Sequence, residues 1–187
     1  MYTCSRLYVS RLATISAIRG ACPAGGCMMS MCCDHRVMSS VGSIGLNEVQ
    51  LGIPVPKYWG LLMAKLIGAK AADKLLLTGK LISPAEAKAL GMVDQVVDKG
   101  QVLEAAEKVM AQLVKVPGGA VKATKISLRE DFCSAWQKYY VEEPRMAWAL
   151  LNSPETLRTL EAALQRLSSG NKGGQSNGRP AQPAARM

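Results

Sequence analysis

The chain is poor in the groups that define several functional classes. Of its 187 residues one is a histidine and one a phenylalanine, and aromatics make up 5%. One imidazole rules out the multi-histidine zinc sites, and so few aromatics leave no stacking ladder for single-stranded nucleic acid. No window approaches the ~18 consecutive apolar residues of a membrane-spanning helix. Met1-Tyr2-Thr3-Cys4-Ser5-Arg6 reads as neither a secretory apolar region nor a long Arg- and Ser-rich presequence. The six cysteines form no C-x2-C knuckles. Cys22, Cys27, Cys32, Cys33 and His35 crowd one stretch at spacings foreign to structural zinc, so no metal is expected. Cys27, Met28, Met31 and Cys32 recur at helical spacing. They read as small packed hydrophobes in a reducing compartment.

What is present suits one domain with a sizeable core: 49% of residues are hydrophobic, and ten methionines make that core adaptable. The formal net charge is +9. The basic residues are scattered and no base-reading motif accompanies them, so no nucleic-acid partner is expected. A general affinity for anionic ligands, a phosphate-bearing thioester carrier among them, fits better.

Strand and helix signals alternate in the first half. Leu7, Tyr8 and Leu12 give an opening helix an apolar stripe. Residues 14–18 read as a buried strand, 27–33 as a helix, 35–38 as a second strand and 43–45 as a third. Pro54 and Pro56 precede helices over 59–67 and 69–77. Ser83-Pro84-Ala85-Glu86 is a strong helix start, with the cap, the proline and the returning glutamate in their preferred places. Gly91 closes that helix, residues 92–97 are extended, and 101–115 form an amphipathic helix. After a Pro117-Gly118-Gly119 linker only helices remain, over 120–130, 134–151 and 154–167, the last capped by Ser153. From Ser169 onward Gly, Ser, Asn, Pro and Gln dominate, the composition of a disordered tail. The expected organisation is an α/β core over 1–115, a helical region over 116–168 and a tail over 169–187. No short internal repeat is visible.

Two segments carry the chemistry. Ile18-Arg19-Gly20-Ala21-Cys22-Pro23-Ala24-Gly25-Gly26-Cys27 leads a strand through a double glycine into an apolar helix. Such a turn lets a ligand approach the backbone, and the helix start aims free N–H groups at it. Gly45-Leu46-Asn47-Glu48-Val49-Gln50-Leu51-Gly52 sets one carboxylate, Glu48, among apolar residues where a base works out of bulk water. An amide donor and an isolated carboxylate are the minimum needed to move a proton next to a carbonyl. Asp34 and His35 stand side by side, but His35 opens a strand, and the pair reads as structural.

Gly20 to Cys27, followed by Cys33-Asp34-His35-Arg36-Val37-Met38 and by Gly45-Leu46-Asn47-Glu48 with Leu51-Gly52-Ile53, resembles the crotonase (enoyl-CoA hydratase/isomerase) superfamily. The likeness continues through Leu77-Thr78-Gly79-Lys80-Leu81-Ile82-Ser83-Pro84 to Val97 and is strongest toward the 3,2-trans-enoyl-CoA isomerase branch. It implies a partial ββα superhelix followed by C-terminal helices that drive trimer formation. It implies fatty-acid β-oxidation in the mitochondrial matrix, with an acyl-CoA substrate and no separate cofactor, coenzyme A being part of the substrate. The terminal Ala185-Arg186-Met187 loosely resembles a peroxisomal tripeptide and leaves that organelle open. By the resemblance the Gly25 N–H is an oxyanion donor and Glu48 the single acid/base, with Pro23, Ala24, Gly26, Met28 and Leu51 lining the substrate. Hydratases of the superfamily carry a second glutamate at the place of Met28; methionine there disfavours water addition.

Family members also carry a long stretch before the position of Leu7, holding a first oxyanion donor and most coenzyme contacts. The expectation is therefore a truncated chain. Two readings follow, an isomerase and a non-catalytic remnant that joins trimers of a longer relative.

Overall fold

The computed structural model describes residues 2–139, 142, 148 and 151–172. The order is α1 (Tyr2–Tyr8), β1 (Ile15–Ile18), β2 (Cys22–Pro23), α2 (Gly25–Met31), β3 (His35–Ser39), β4 (Ile44–Gly45), a 3₁₀ turn (Glu48–Leu51), then α3 (Lys57–Ile67), α4 (Ala69–Thr78) and α5 (Pro84–Ala89). It continues with β5 (Gln95–Val97), a second 3₁₀ turn (Lys99–Gln101), α6 (Val102–Leu113), α7 (Gly118–Tyr139) and α8 (Pro154–Lys172). The α/β class expected from the sequence is the one found.

Two small parallel sheets organise the first half. One runs β1-β3-β5, with Ile15 opposite His35 and Val37 opposite Gln95. The other pairs β2 with β4, Cys22 opposite Ile44 and Pro23 opposite Gly45. Alternation along β3 divides the apolar residues between two layers. Val37 meets Val102, Ala105 and Ala106 of α6, and Met38 joins the main core with Met28, Met31, Leu62, Met63 and Trp136. The single phenylalanine, Phe132, lies edge-on to Tyr8, Tyr58 and Trp136 with ring centroids 5.4–6.1 Å apart, which pins α7 to α1 and α3.

The S-P-A-E start of α5 forms as read: Ser83 Oγ accepts from the Glu86 N–H at 3.2 Å, and Glu86 Oε2 accepts from the Ser83 N–H at 2.9 Å. Five expectations are corrected. The 14–18 strand is an edge strand in which only Ile18 is fully buried, because β3 takes the centre of the sheet. It does not run straight into the glycine turn, since β2 intervenes in the second sheet. The helix expected at 27–33 begins at the glycines themselves and ends at Met31. The break expected between 130 and 134 is absent: Lys125, Cys133 and Trp136 are buried along one continuous helix that holds no residue able to stop it. The expected tail is helical as far as Lys172, while residues 173–187, with the terminal tripeptide, lie outside the described residues. Most of the 140–150 stretch does too.

Candidate active site

The two chemical segments meet because their strands pair. β2 and β4 run parallel, and the ladder continues one step past β2, where the Ala24 N–H donates to the Gly45 carbonyl at 2.8 Å. Gly25 follows Ala24 directly, and Glu48 comes three residues after Gly45. The glycine turn and the turn that carries the carboxylate thus both follow from the same end of the β2–β4 pair. Cys27 ties them further: its thiol accepts from the Gly45 N–H, and burial and the nearby Glu48 carboxyl push its pKa far up. It stays a neutral thiol and is no rival base.

The turn itself is strained. Ala24 sits at φ 50° and ψ −122°, the one non-glycine residue with positive φ among those described. Such conformations cost on the order of 1–3 kcal/mol and persist where surrounding structure imposes them. Being alanine, Ala24 caps α2 with no side-chain hydrogen bond. The Gly25 N–H finds no acceptor among the described residues. Gly25 and Gly26 are exposed, and a Cβ built on Gly25 meets nothing within 4 Å. The helix behind it does not form by propensity, since two glycines oppose it. It is held by burial of Cys27, Met28 and Met31.

Glu48 is 7% exposed, and its Oε2 has no hydrogen-bond partner among the described residues. Burial raises its pKa above the ordinary glutamate value, opposed only weakly by its own backbone N–H. A half-desolvated carboxylate of this kind is a stronger base than one in water. Of the other expected residues, Pro23 is exposed and Ala24 and Leu51 half-buried, while Met28 is wholly inside the core. Sequence reasoning did not single out Thr156, which reaches this turn from 104 residues downstream.

Asp34 and His35 part company, as the structural reading requires. His35 turns toward Asp94, 3.9 Å away, in an open recess beside α6. Asp34 accepts from Lys125 Nζ and Arg129 Nη1, each at 2.8 Å, and from the Thr14 N–H at 2.9 Å. Burial alone would raise its carboxyl, but the Lys125 and Thr14 hydrogen bonds hold it below the ordinary 3.8. A carboxyl depressed by folding stabilises above its unfolded pKa and loses that contribution as pH falls through the folded value. The Asp34→Asn variant is therefore expected to lose about 2 kcal/mol at pH 7, because Lys125 is left buried without its anion. Urea unfolding checks this, and the deficit should close below about pH 4.

Among the described residues no group of three or more His, Cys, Asp or Glu could hold a metal ion, all six cysteines are free, and no helix is long and apolar enough to cross a membrane. The family profile described as enoyl-CoA hydratase/isomerase matches residues 2–167. The chain is 37% identical over 164 residues to human enoyl-CoA delta isomerase 1, mitochondrial, covering 87% of this chain and 54% of that one. It superposes on the crystal structure of human mitochondrial delta3-delta2-enoyl-CoA isomerase with TM-score 0.85 at 36% identity, over 89% of this chain and 66% of the other. On an enoyl-CoA hydratase from Bacillus halodurans the TM-score is 0.76 at 25% identity, over 85% and 64%. The chain spans about half the length of the curated relatives it matches. By its profile, its fold and the pairing that joins its glycine turn to its buried glutamate, the chain belongs to the enoyl-CoA hydratase/isomerase family.

Proposed function

We propose that the chain serves 3,2-trans-enoyl-CoA isomerisation, moving a 3-enoyl double bond into conjugation with the thioester. The observation that supports this reading is the buried Glu48 carboxyl with one oxygen unpartnered, three residues past the strand whose partner leads into the Gly25 amide. Glu48 takes the C2 proton as the C2–H bond breaks. The electron pair spreads into a dienolate whose charge sits mainly on the thioester oxygen, where the Gly25 N–H stabilises it. Glu48 then returns the same proton to C4, and the new double bond lies between C2 and C3. Nothing is oxidised overall, and no metal or second cofactor enters, coenzyme A being part of the substrate. Pro23, Ala24, Gly26 and Leu51 flank the acyl chain in this reading.

A hydratase needs a second carboxylate to activate water. Position 28, where the family's hydratases carry it, is Met28 packed at 0% exposure, which supports proton shuttling over water addition. The mitochondrial names of the relatives support a matrix location, and the family likeness supports a homotrimer.

The test is the purified chain with a 3-enoyl-CoA, followed by the ultraviolet absorbance of the conjugated product. Rising absorbance without 3-hydroxyacyl product is expected. A 3-hydroxyacyl product from a 2-enoyl-CoA would instead mark a hydratase. Silence from the wild-type chain overturns the enzymatic reading in favour of a non-catalytic subunit that joins trimers of a longer relative.

A further inference from the structure

The turn that carries Glu48 is four residues long, and its cap residue, Asn47, makes no side-chain cap bond. So short a 3₁₀ segment does not hold its own shape. It is clamped from outside at both ends. On the α4 side Gln50 Nε2 donates to the Thr78 carbonyl at 3.2 Å. Gly79, at φ 62°, lies so close that a Cβ there would stand 2.7 Å from Gln50 Cγ and 2.9 Å from Val49 Cγ2.

The other end is held by α8. Thr156, 3% exposed, donates its hydroxyl to the Gly52 carbonyl at 3.0 Å. The nitrogen of that same peptide unit belongs to Ile53, whose N–H donates to the Glu48 carbonyl at 3.1 Å. One rigid peptide plane is therefore gripped by Thr156 on its oxygen and by the Glu48 backbone on its nitrogen. Thr156 is oriented in turn by Ser153, whose Oγ donates to the Thr156 hydroxyl at 2.9 Å and accepts from the Thr156 N–H at 3.2 Å.

We infer that Thr156 is a positioning residue for Glu48: through the Gly52–Ile53 peptide, the start of α8 fixes the turn that aims the carboxyl. The inference rests on the isomerase reading for its kinetic consequence and on geometry alone for its structural one. Few other groups compete for control of this carboxyl. Among the side chains described on the packed elements, Lys70, Asp73 and Lys74 of α4 and Glu155, Arg158 and Glu161 of α8 are exposed. Cys27 of α2 is the titratable neighbour, and it is held neutral.

The experiment compares Thr156→Val, which keeps the shape and removes the hydroxyl, with Thr156→Ser, which keeps the hydroxyl. The Ser153 cap on the residue 156 N–H survives in both. The Glu48 carboxyl is titrated in the 187-residue chain by carbon NMR without ligand, and kcat and KM are measured with a 3-enoyl-CoA. In T156V the midpoint is expected to fall toward the ordinary glutamate value as water reaches the loosened turn. The kcat is expected to fall about tenfold with KM within about twofold, and T156S restores both. Should T156V not fold, Thr156→Cys, with its weak donor, gives the same comparison with a smaller shift. An unchanged Glu48 midpoint in the hydroxyl-free variant, or failure of serine to restore it, overturns the inference. A silent wild-type enzyme whose Glu48 midpoint still moves in T156V overturns the isomerase reading and leaves the positioning role standing.

Discussion

The Glu48→Gln protein is expected to lose double-bond transposition by at least about 10³-fold in kcat/KM while becoming harder to unfold at neutral pH. The first effect follows from the proposed chemistry, in which one carboxylate both removes and returns the proton; general acid–base groups contribute about 10²–10⁴-fold even when they act once. The second follows from burial. Glu48 is desolvated, its Oε2 has no partner among the described residues, and its pKa is raised. A carboxyl raised by folding favours the fold only while protonated. That contribution is complete below the unfolded pKa, ordinarily 4.5, and is lost as pH rises through the folded value. At pH 7 the wild type therefore carries an unfavourable buried charge that glutamine lacks. Thermal unfolding of the two proteins should differ in favour of E48Q at pH 7 and converge below about pH 4. An E48Q protein that retains full activity sinks the assignment of the base. One that loses activity through unfolding is recognised by a lower melting temperature, the opposite of what burial dictates. The same raised pKa places the acid limb of wild-type kcat/KM above the ordinary glutamate range.

Local signals were legible in the sequence to the extent that they acted locally. The Ser83-Pro84-Ala85-Glu86 cap needs four consecutive residues and nothing else, and it forms as read. The strands read at 14–18, 35–38 and 92–97 have ends that differ from the observed ones by up to three residues. What those runs cannot carry is which strand lies in the middle. The centre of the β1-β3-β5 sheet is decided by the long-range pairing of β3 with both neighbours, so the edge position of β1 was not readable. The β2 pair escaped for a related reason: two residues, one of them a proline, are too few to show a period.

The site divides in the same way. The burial of Glu48 was foreshadowed by its neighbours Leu46, Val49, Leu51 and Ile53, and the open amide of Gly25 by the doubled glycine. The restraints on Glu48 were not. Thr156 acts on Gly52 from 104 residues away, and Gln50 reaches the Thr78 carbonyl across 28. The Ser153 cap was visible, but a cap states only where a helix begins, not what its third residue touches. Asp34 shows the converse: beside the single histidine it tempts a catalytic dyad, and its real partners, Lys125 and Arg129, sit 91 and 95 residues on. Charge pairs at such separations leave no trace in local spacing.

Gly25→Pro probes the other half of the chemistry, because proline deletes the N–H. Gly25 is the first residue of α2, where proline's fixed φ suits a helix start and its missing donor has no intrahelical acceptor to lose. Gly25 is not among the positive-φ residues, and space around its Cβ position is empty to 4 Å. Ala24, at φ 50° and ψ −122°, is far from the extended conformation that a following proline requires, and the proline Cδ would crowd the Ala24 Cβ. The Ala24 turn must therefore shift, and the fold is expected to lose more than about 1 kcal/mol, as measured by urea unfolding; turnover is read under conditions where the variant remains folded. Turnover should still fall by about 10²–10³-fold, the usual consequence of removing one oxyanion donor, with the loss mainly in kcat because the charge exists only on the way to the dienolate. Gly25→Ala is the matched control: it adds a methyl into the same open space and keeps the N–H, so its kcat should stay within a few-fold of wild type. If alanine and proline lower the rate equally, the effect is crowding of the acyl chain, and the amide of Gly25 is not the donor. If only proline does so while the unfolding curve shows the fold kept, the Gly25 N–H acts on the substrate oxygen.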